Sequence, residues 1–297
     1  MYSGRIKRGG AANLPHTGLN SILNEGSQMR YLKASALASL VLIGSACGLG
    51  AAPAAAFDQQ ATHARANATL YAMGEKGAEL LRLDVKNGTV EVAGQTGVAP
   101  QSLALAISPG SRAAYTIASA QDPSLAHLAT IDLATGRETL VGASALGQNL
   151  YIMGMTSSRN GVLYAAGDFV PTSPTFNSLY TIDKSTGLAT RIGSFGVGSA
   201  MPAFIMSLTF DPSGQLFGAS QHSIYRIDRT TGAATKVVDI VGATRVMGLA
   251  FDQKGDLYAS DFIPLPTGST IYTVDLATGQ FTPLIRTGIA FVHNIAF

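Results

Sequence analysis

The chain has no tryptophan and one cysteine, and only 13% of its 297 residues are charged. A single cysteine excludes an internal disulfide framework and a cysteine-rich zinc site. The histidines are equally unhelpful to metal chemistry, because His63, His127 and His222 show no ligand spacing. No Gly-x-Ser-x-Gly elbow, phosphate loop or Cys–His arrangement is present. The apolar run Ala34–Leu49 is short for a membrane span. Abundant Gly, Ala, Ser and Thr beside many apolar residues argue against long helices and against disorder, and for short strands with tight turns.

The first 56 residues stand apart. Met29–Lys33 is a short basic segment, Ala34–Leu49 is apolar, and Ala54-Ala55-Ala56 places small residues ahead of Phe57. These are the three parts of a secretory signal peptide, expected over residues 29–56. Residues 1–28 are polar, Gly-rich and aperiodic; they read as a non-native extension, with the natural start at Met29. Cys47 has Gly44 three residues before it, where a lipobox needs an aliphatic residue, so no lipid anchor is expected. The chain is thus expected to be exported, to the periplasm or beyond the cell, with no membrane span in its mature form.

Residues 1–56 hold five of the 20 basic residues and one of the 18 acids, so the mature chain carries 15 basic and 17 acidic side chains. No basic stripe remains to meet a phosphate backbone, and nucleic acid is not expected as a partner.

What the chain does have is one phrase written five times. Asp84–Gly88, Asp132–Gly136, Asp183–Gly187, Asp228–Gly232 and Asp275–Gly279 recur at steps of 48, 51, 45 and 47 residues. An alternating apolar run precedes each Asp and another follows each Gly. Asp accepts hydrogen bonds from turn amides and Gly takes the left-handed conformation, so each phrase is a hairpin turn. A period of this length with paired strands predicts propeller blades. The expected fold is all-β: a five-bladed β-propeller of four-stranded antiparallel blades over residues 67–297, with residues 57–66 as a leader.

The fifth repeat lacks one strand, and Ala68–Met73 stands at the other end of the domain with the matching Leu70-Tyr71-Ala72. Pairing of Ala68–Met73 with Val292–Phe297 would close the ring and cover two strand edges. One strand per repeat is expected at the axis. Aligned, these strands place Ala104, Gly154, Ser207, Gly248 and Asn294 in one small-residue column and Ala106, Thr156, Thr209, Ala250 and Ala296 in another. Leu105, Met155, Leu208, Leu249 and Ile295 lie between them.

The pattern Gly248-Leu-Ala-Phe-Asp252 followed by Leu257-Tyr-Ala259 and Ile271-Tyr-x-Val-Asp275 resembles the secreted bacterial repeats of the NHL, YVTN and SMP-30 or lactonase-like propellers. The resemblance covers residues 67–297. It implies the architecture and says little about activity, because propellers host many functions. Five blades depart from the six or seven usual in those families.

The Asp-Gly turns and the Asp211–Gly214 type of turn share one face, where every connection is tight. Longer connections such as Gly167–Asn177, Gly193–Phe204 and Asp261–Ser269 share the other, and variable loops on a rigid scaffold are where binding usually resides. Two of them rhyme, Asp168-Phe-Val-Pro171 and Asp261-Phe-Ile-Pro264. Either they place carboxylates and aromatics at a rim, or they are strand-ending turns with a packed Phe. The column at the entrance of the inner strands reads Leu103, Met153, Met206, Met247 and His293. The methionines are a soft collar or a gap-filling core. His293-Asn294 is the polar exception, a buried pair or the base of a site.

The binding candidates are therefore His293, Asn294, Asp168, Asp261 and Glu75. The turn residues Asp84, Asp132, Asp183, Asp228, Asp275, Gly88, Gly136, Gly187, Gly232 and Gly279 are read as structural, since their spacing lacks the dense oxygen ligands of a calcium loop. The expected function is a non-catalytic binding module for a small molecule, glycan or protein, with no cofactor assigned. The lactonase resemblance implies the alternative, a hydrolase or lyase whose divalent metal is held by oxygen donors. Glu75, Asp168, Asp261 and Asn294 are the available set.

Overall fold

The repeated phrase folds as its chemistry requires. In all five copies the aspartate Oδ1 accepts the main-chain N–H two residues on, at 2.7–2.9 Å. Each glycine N–H donates to the carbonyl of its aspartate at 2.8 Å. The glycines have φ between 71° and 84°, a conformation that a side chain disfavours. The apolar runs on either side of the turn are thereby aligned as an antiparallel hairpin.

A computed structural model describes residues 69–96, 103–118, 124–143, 145–147, 150–168, 175–198 and 203–297. The expected extension 1–28, signal peptide 29–56 and leader 57–66 lie outside the described residues. The chain enters with β1 (Thr69–Gly74), β2 (Glu79–Asp84) and β3 (Thr89–Gln95). The first blade follows as β4 (Leu103–Ile107), β5 (Ala114–Ala118), β6 (His127–Ile131) and β7 (Glu138–Leu140). The second holds β8 (Ile152–Ser157), β9 (Leu163–Gly167), β10 (Ser178–Ile182) and β11 (Ala189–Ser194). The third holds β12 (Ser207–Phe210), β13 (Leu216–Ala219), β14 (Ser223–Ile227) and β15 (Ala234–Asp239). The fourth holds β16 (Val246–Phe251), β17 (Leu257–Asp261), β18 (Thr270–Asp275) and β19 (Gln280–Arg286). The last strand, β20 (His293–Ala296), joins β1, β2 and β3 in the order β20-β1-β2-β3. This is a five-bladed propeller with four antiparallel strands in each blade.

Closure by the N-terminal strand is observed, with Tyr71 opposite Ala296, Ala72 opposite Ile295 and Met73 opposite His293. The grouping of strands differs from the sequence repeats. Each repeat straddles two blades, because its Asp-Gly hairpin forms the two outer strands of one blade and the chain then crosses to the inner strand of the next. Ile271–Asp275 and Phe281–Ile285 accordingly belong to the fourth blade, and the closing blade takes three strands from the N-terminal side and only β20 from the other.

The inner strands β4, β8, β12, β16 and β20 lie against one another around the axis, each beside its two neighbours. Their small-residue column is needed for that approach. A Cβ on Gly154 would lie 2.7 Å from the Met206 carbonyl oxygen and the Ser207 Cα. Inner strands also exchange side-chain bonds: Ser207 Oγ accepts Leu249 N–H at 2.8 Å, and Thr209 Oγ1 accepts Phe251 N–H at 3.1 Å. Five apolar clusters fill the five seams between blades. Backbone bonds stitch the outer rim, from Ala189 N–H to Leu146 O, Ala234 N–H to Phe195 O, and Phe281 N–H to Val241 O, at 2.8–2.9 Å.

The outermost strands β3, β11, β15 and β19 each carry a bulge in their pairing, and Pro283 lies within β19, opposite Tyr272. Bulges and edge prolines discourage edge-to-edge association.

Candidate functional site

A sixth apolar cluster belongs to no seam. Phe204, Met206 and Met247 are buried together at the variable-loop end of the axis, with Met153, Phe176 and Phe262 packed against them. Each is placed by the strand ends: Met153, Met206 and Met247 stand at the entrance of inner strands, Phe262 follows the second strand of the fourth blade, and Phe176 lies just before the third strand of the second blade. The Phe176 and Phe204 rings are 4.8 Å apart, as are Phe262 and Phe291, and the Arg245 guanidinium stands 5.6 Å from the Phe262 ring centroid. The methionine column thus forms part of an aromatic plug, half buried at its outer surface. Seven of the eight non-glycine residues with positive φ among the described residues sit at this end of the domain: Glu75, Ala104, Asp168, Asn177, Arg245, Phe291 and Asn294. Sparsely populated backbone conformations are thus concentrated on one face.

The sequence-predicted residues take distinct places around this mouth. His293 is fully buried, 6.0 Å from the Phe262 ring. Asn294 Nδ2 reaches across the axis and donates to the Met153 carbonyl at 2.7 Å. Asp168 and Asp261 are buried equivalents at the ends of β9 and β17. Asp168 accepts from the Thr175 hydroxyl, and its carbonyl accepts Asn177 N–H at 2.5 Å. Asp261 accepts Thr270 N–H and Tyr272 Oη–H, each at 2.7 Å. Burial pushes the Asp261 carboxyl up, and burial with this same bond pushes the Tyr272 hydroxyl up to about 12. Glu75 is exposed on the short turn after β1, where its Oε1 accepts Ala290 N–H at 3.3 Å.

His293 and Asn294 therefore meet at the axis, while each carboxylate braces its own loop. As a metal set the four oxygen donors fit poorly. Both Asp261 oxygens accept bonds inside the fourth blade, whereas the Asn294 bond to Met153 uses its Nδ2 and not the oxygen that a metal would take. Among the described residues no three His, Cys, Asp or Glu side chains cluster as metal ligands.

The residues at this end that alignment alone left unmarked are Tyr151, Phe204, Arg245 and Phe291. They form one column, two positions before Met153, Met206, Met247 and His293, so a signal was present in the register of the repeats. Asn177 was also missed. Its side chain bonds Val197 O, Ala203 O and Ile205 N–H at 3.2–3.3 Å, tying two variable loops together.

The opposite end of the axis is open. A cavity of about 840 Å³ enters from the tight-turn face and is lined by the ends of the inner strands and by the tight turns that follow them. Ala106, Thr156, Thr209, Ala250 and Ala296 are among the residues that line it.

No family model matches the chain, and no curated protein is similar to it. Solved structures are similar in fold. A chain from the crystal structure of a nidogen–laminin complex aligns with a TM-score of 0.50 at 14% identity, over 77% of this chain and 97% of that one. A gluconolactonase from Xanthomonas campestris aligns with a TM-score of 0.48 at 16% identity, over 77% and 75% of the two chains. A virginiamycin B lyase from Staphylococcus aureus gives 0.43 at 14% identity, over 74% and 67%. At these identities the likeness is one of architecture: the chain is a five-bladed β-propeller whose neighbours include both enzymes and a binding partner.

Proposed function

We propose that this protein is an exported, non-catalytic binding module that recognises its partner with the variable-loop face. The carrying observation is the aromatic and methionine plug with Arg245 stacked at its edge. Aromatics, Met and Arg are the residues enriched where proteins meet, and thioethers adapt to irregular partners. The sparsely populated backbone conformations on the same face support the reading. In it Phe176, Phe262 and Phe291 make contact, Arg245 and Glu75 supply charge at the rim, and His293 and Asn294 form the floor. Asp168 and Asp261 act as positioning residues by bracing the two loops that begin with them.

Screening the mature chain against peptide, glycan and small-molecule arrays, with Phe262→Ala and Arg245→Ala as paired variants, tests this. The variants should lose at least about tenfold in affinity, as expected for anchors of an interface, while still unfolding cooperatively, with the melting temperature of Arg245→Ala near that of the parent. Binding that survives both substitutions would overturn the proposal. So would turnover of the bound molecule together with a stoichiometric divalent ion in the purified protein, which favours the lactonase-like alternative.

A further inference from the structure

Resting on the variable-loop reading, we propose that the partner recognised there is a second copy of this chain, docked face to face about a two-fold axis. An acid, two aromatic rings and a base follow one another across that face. Glu75 N–H donates to Ala290 O at 3.0 Å, and Ala290 N–H returns a bond to the Glu75 carboxylate, which sets the acid beside Phe291. The Phe291 ring lies 4.8 Å from the Phe262 ring, and the Arg245 guanidinium stands 5.6 Å from the Phe262 centroid. Arg245 precedes β16 of the fourth blade and Glu75 follows β1 of the closing blade, so the two charges belong to neighbouring blades and the rings link them.

Both charges are exposed, and neither has an oppositely charged partner among the described residues. Glu75, Phe291 and Arg245 hold φ of 46°, 53° and 54°. Bulky side chains seldom enter that region, so local backbone preference does not account for them. A patch ordered acid, aromatic, aromatic, base is complementary to itself after half a revolution. Arg245 of one copy then meets Glu75 of the other, and Glu75 meets Arg245, because both copies carry the same separation. Such reciprocal matching is what a two-fold interface requires. Phe262 and Phe291 fall at its centre, where anchors carry most of the binding energy, and the charges fall toward the rim, where they set register. Phe291 N–H donates to Ile263 O at 2.9 Å, which fixes the loop between β17 and β18 against the rings. Leu265 on that loop is 57% exposed and extends the apolar surface. A ligand of one charge would satisfy only one end of the patch.

Sedimentation velocity and light scattering of the secreted chain over a dilution series test the pairing. The parent should be a dimer at about 100 µM and should dissociate on dilution. Arg245→Glu sets like charges against Glu75 in both symmetry-related contacts, and Glu75→Arg does the same against Arg245. Each variant alone should dimerise about a hundredfold or more weakly. Mixed together, the two variants join opposite charges at both contacts, and a heterodimer should form with an affinity near that of the parent. Its formation also shows that both variants are folded. Phe262→Ala should weaken the dimer about tenfold or more. A parent that is monomeric throughout, a dimer indifferent to both reversals, or a mixture of the two variants that stays monomeric would overturn the proposal. A monomeric chain that still captures an array ligand through Phe262 overturns it too, while leaving the variable-loop reading standing.

Discussion

Leu70 and Met73 lie on opposite faces of β1 and are both fully buried, but they fill different seams. Leu70 packs between the fourth and closing blades, and Met73 between the closing and first blades. Leu70→Ala and Met73→Ala should each cost about 2–5 kcal/mol. With no seam in common the costs should largely add, to about 4–10 kcal/mol, close to the whole margin of an ordinary domain at about 5–15 kcal/mol. Deleting residues 67–74 is the stronger form, since it also strips the pairing of β2 and of β20. Urea unfolding followed by circular dichroism should show additive midpoint losses for the point variants and no cooperative transition for the deletion. Deleting 57–66 should leave the midpoint unchanged. A 67–74 deletion that unfolds at the parent midpoint would refute the view that β1 closes the ring.

Three further outcomes follow from the geometry. Backbone and side-chain donors in the turns hold Asp84, Asp132, Asp183, Asp228 and Asp275 below the usual carboxylate range, with Asp183, bonded first by the Ser185 hydroxyl, at about 2. A depressed carboxyl stabilises above its unfolded value of 3.8 and loses that contribution as pH falls toward the folded one. Stability should therefore decline between about pH 4 and pH 2, and Asp183→Asn should flatten that limb in acid titrations. A Cβ on Gly193 would stand 2.0 Å from the Thr231 carbonyl of the next blade. Gly193→Ala should thus cost at least about 1–3 kcal/mol in urea unfolding through a clash. Gly88→Ala meets open space and should cost only about 1–2 kcal/mol through its positive φ; equal values would show the seam to be soft. Amino-terminal sequencing of secreted protein should find Phe57 first, and intact protein in the cytoplasm would sink the export reading.

Strand order was legible because turn chemistry is local. Asp228 and Gly232 announce their hairpin without knowledge of anything distant, and Ala234–Asp239 and Val246–Phe251 have their expected bounds. Closure was legible because a missing strand and a spare one share the residues Leu-Tyr-Ala. Blade boundaries were not, since the sequence marks hairpins and the structure groups strands by pairing across the crossover. The site was least legible. Whether Asp261 faces a ligand or Tyr272 depends on a side chain eleven residues away, and the reach of Asn294 to Met153 depends on the diameter of the ring. Nothing local encodes either.

The offset between repeat and blade separates the genetic unit from the mechanical one. Excision of one copy, residues 184–228, would join Asp183 to Arg229 and splice three strands of the second blade to the outer strand of the third. The product is a complete four-stranded blade with its hairpin turn restored, and the closing blade is untouched. Recombination between copies can therefore add or remove a blade without an intermediate carrying a broken sheet. Ring size is a variable that such a lineage can explore in single steps, limited only by how the inner strands meet at a narrower or wider axis.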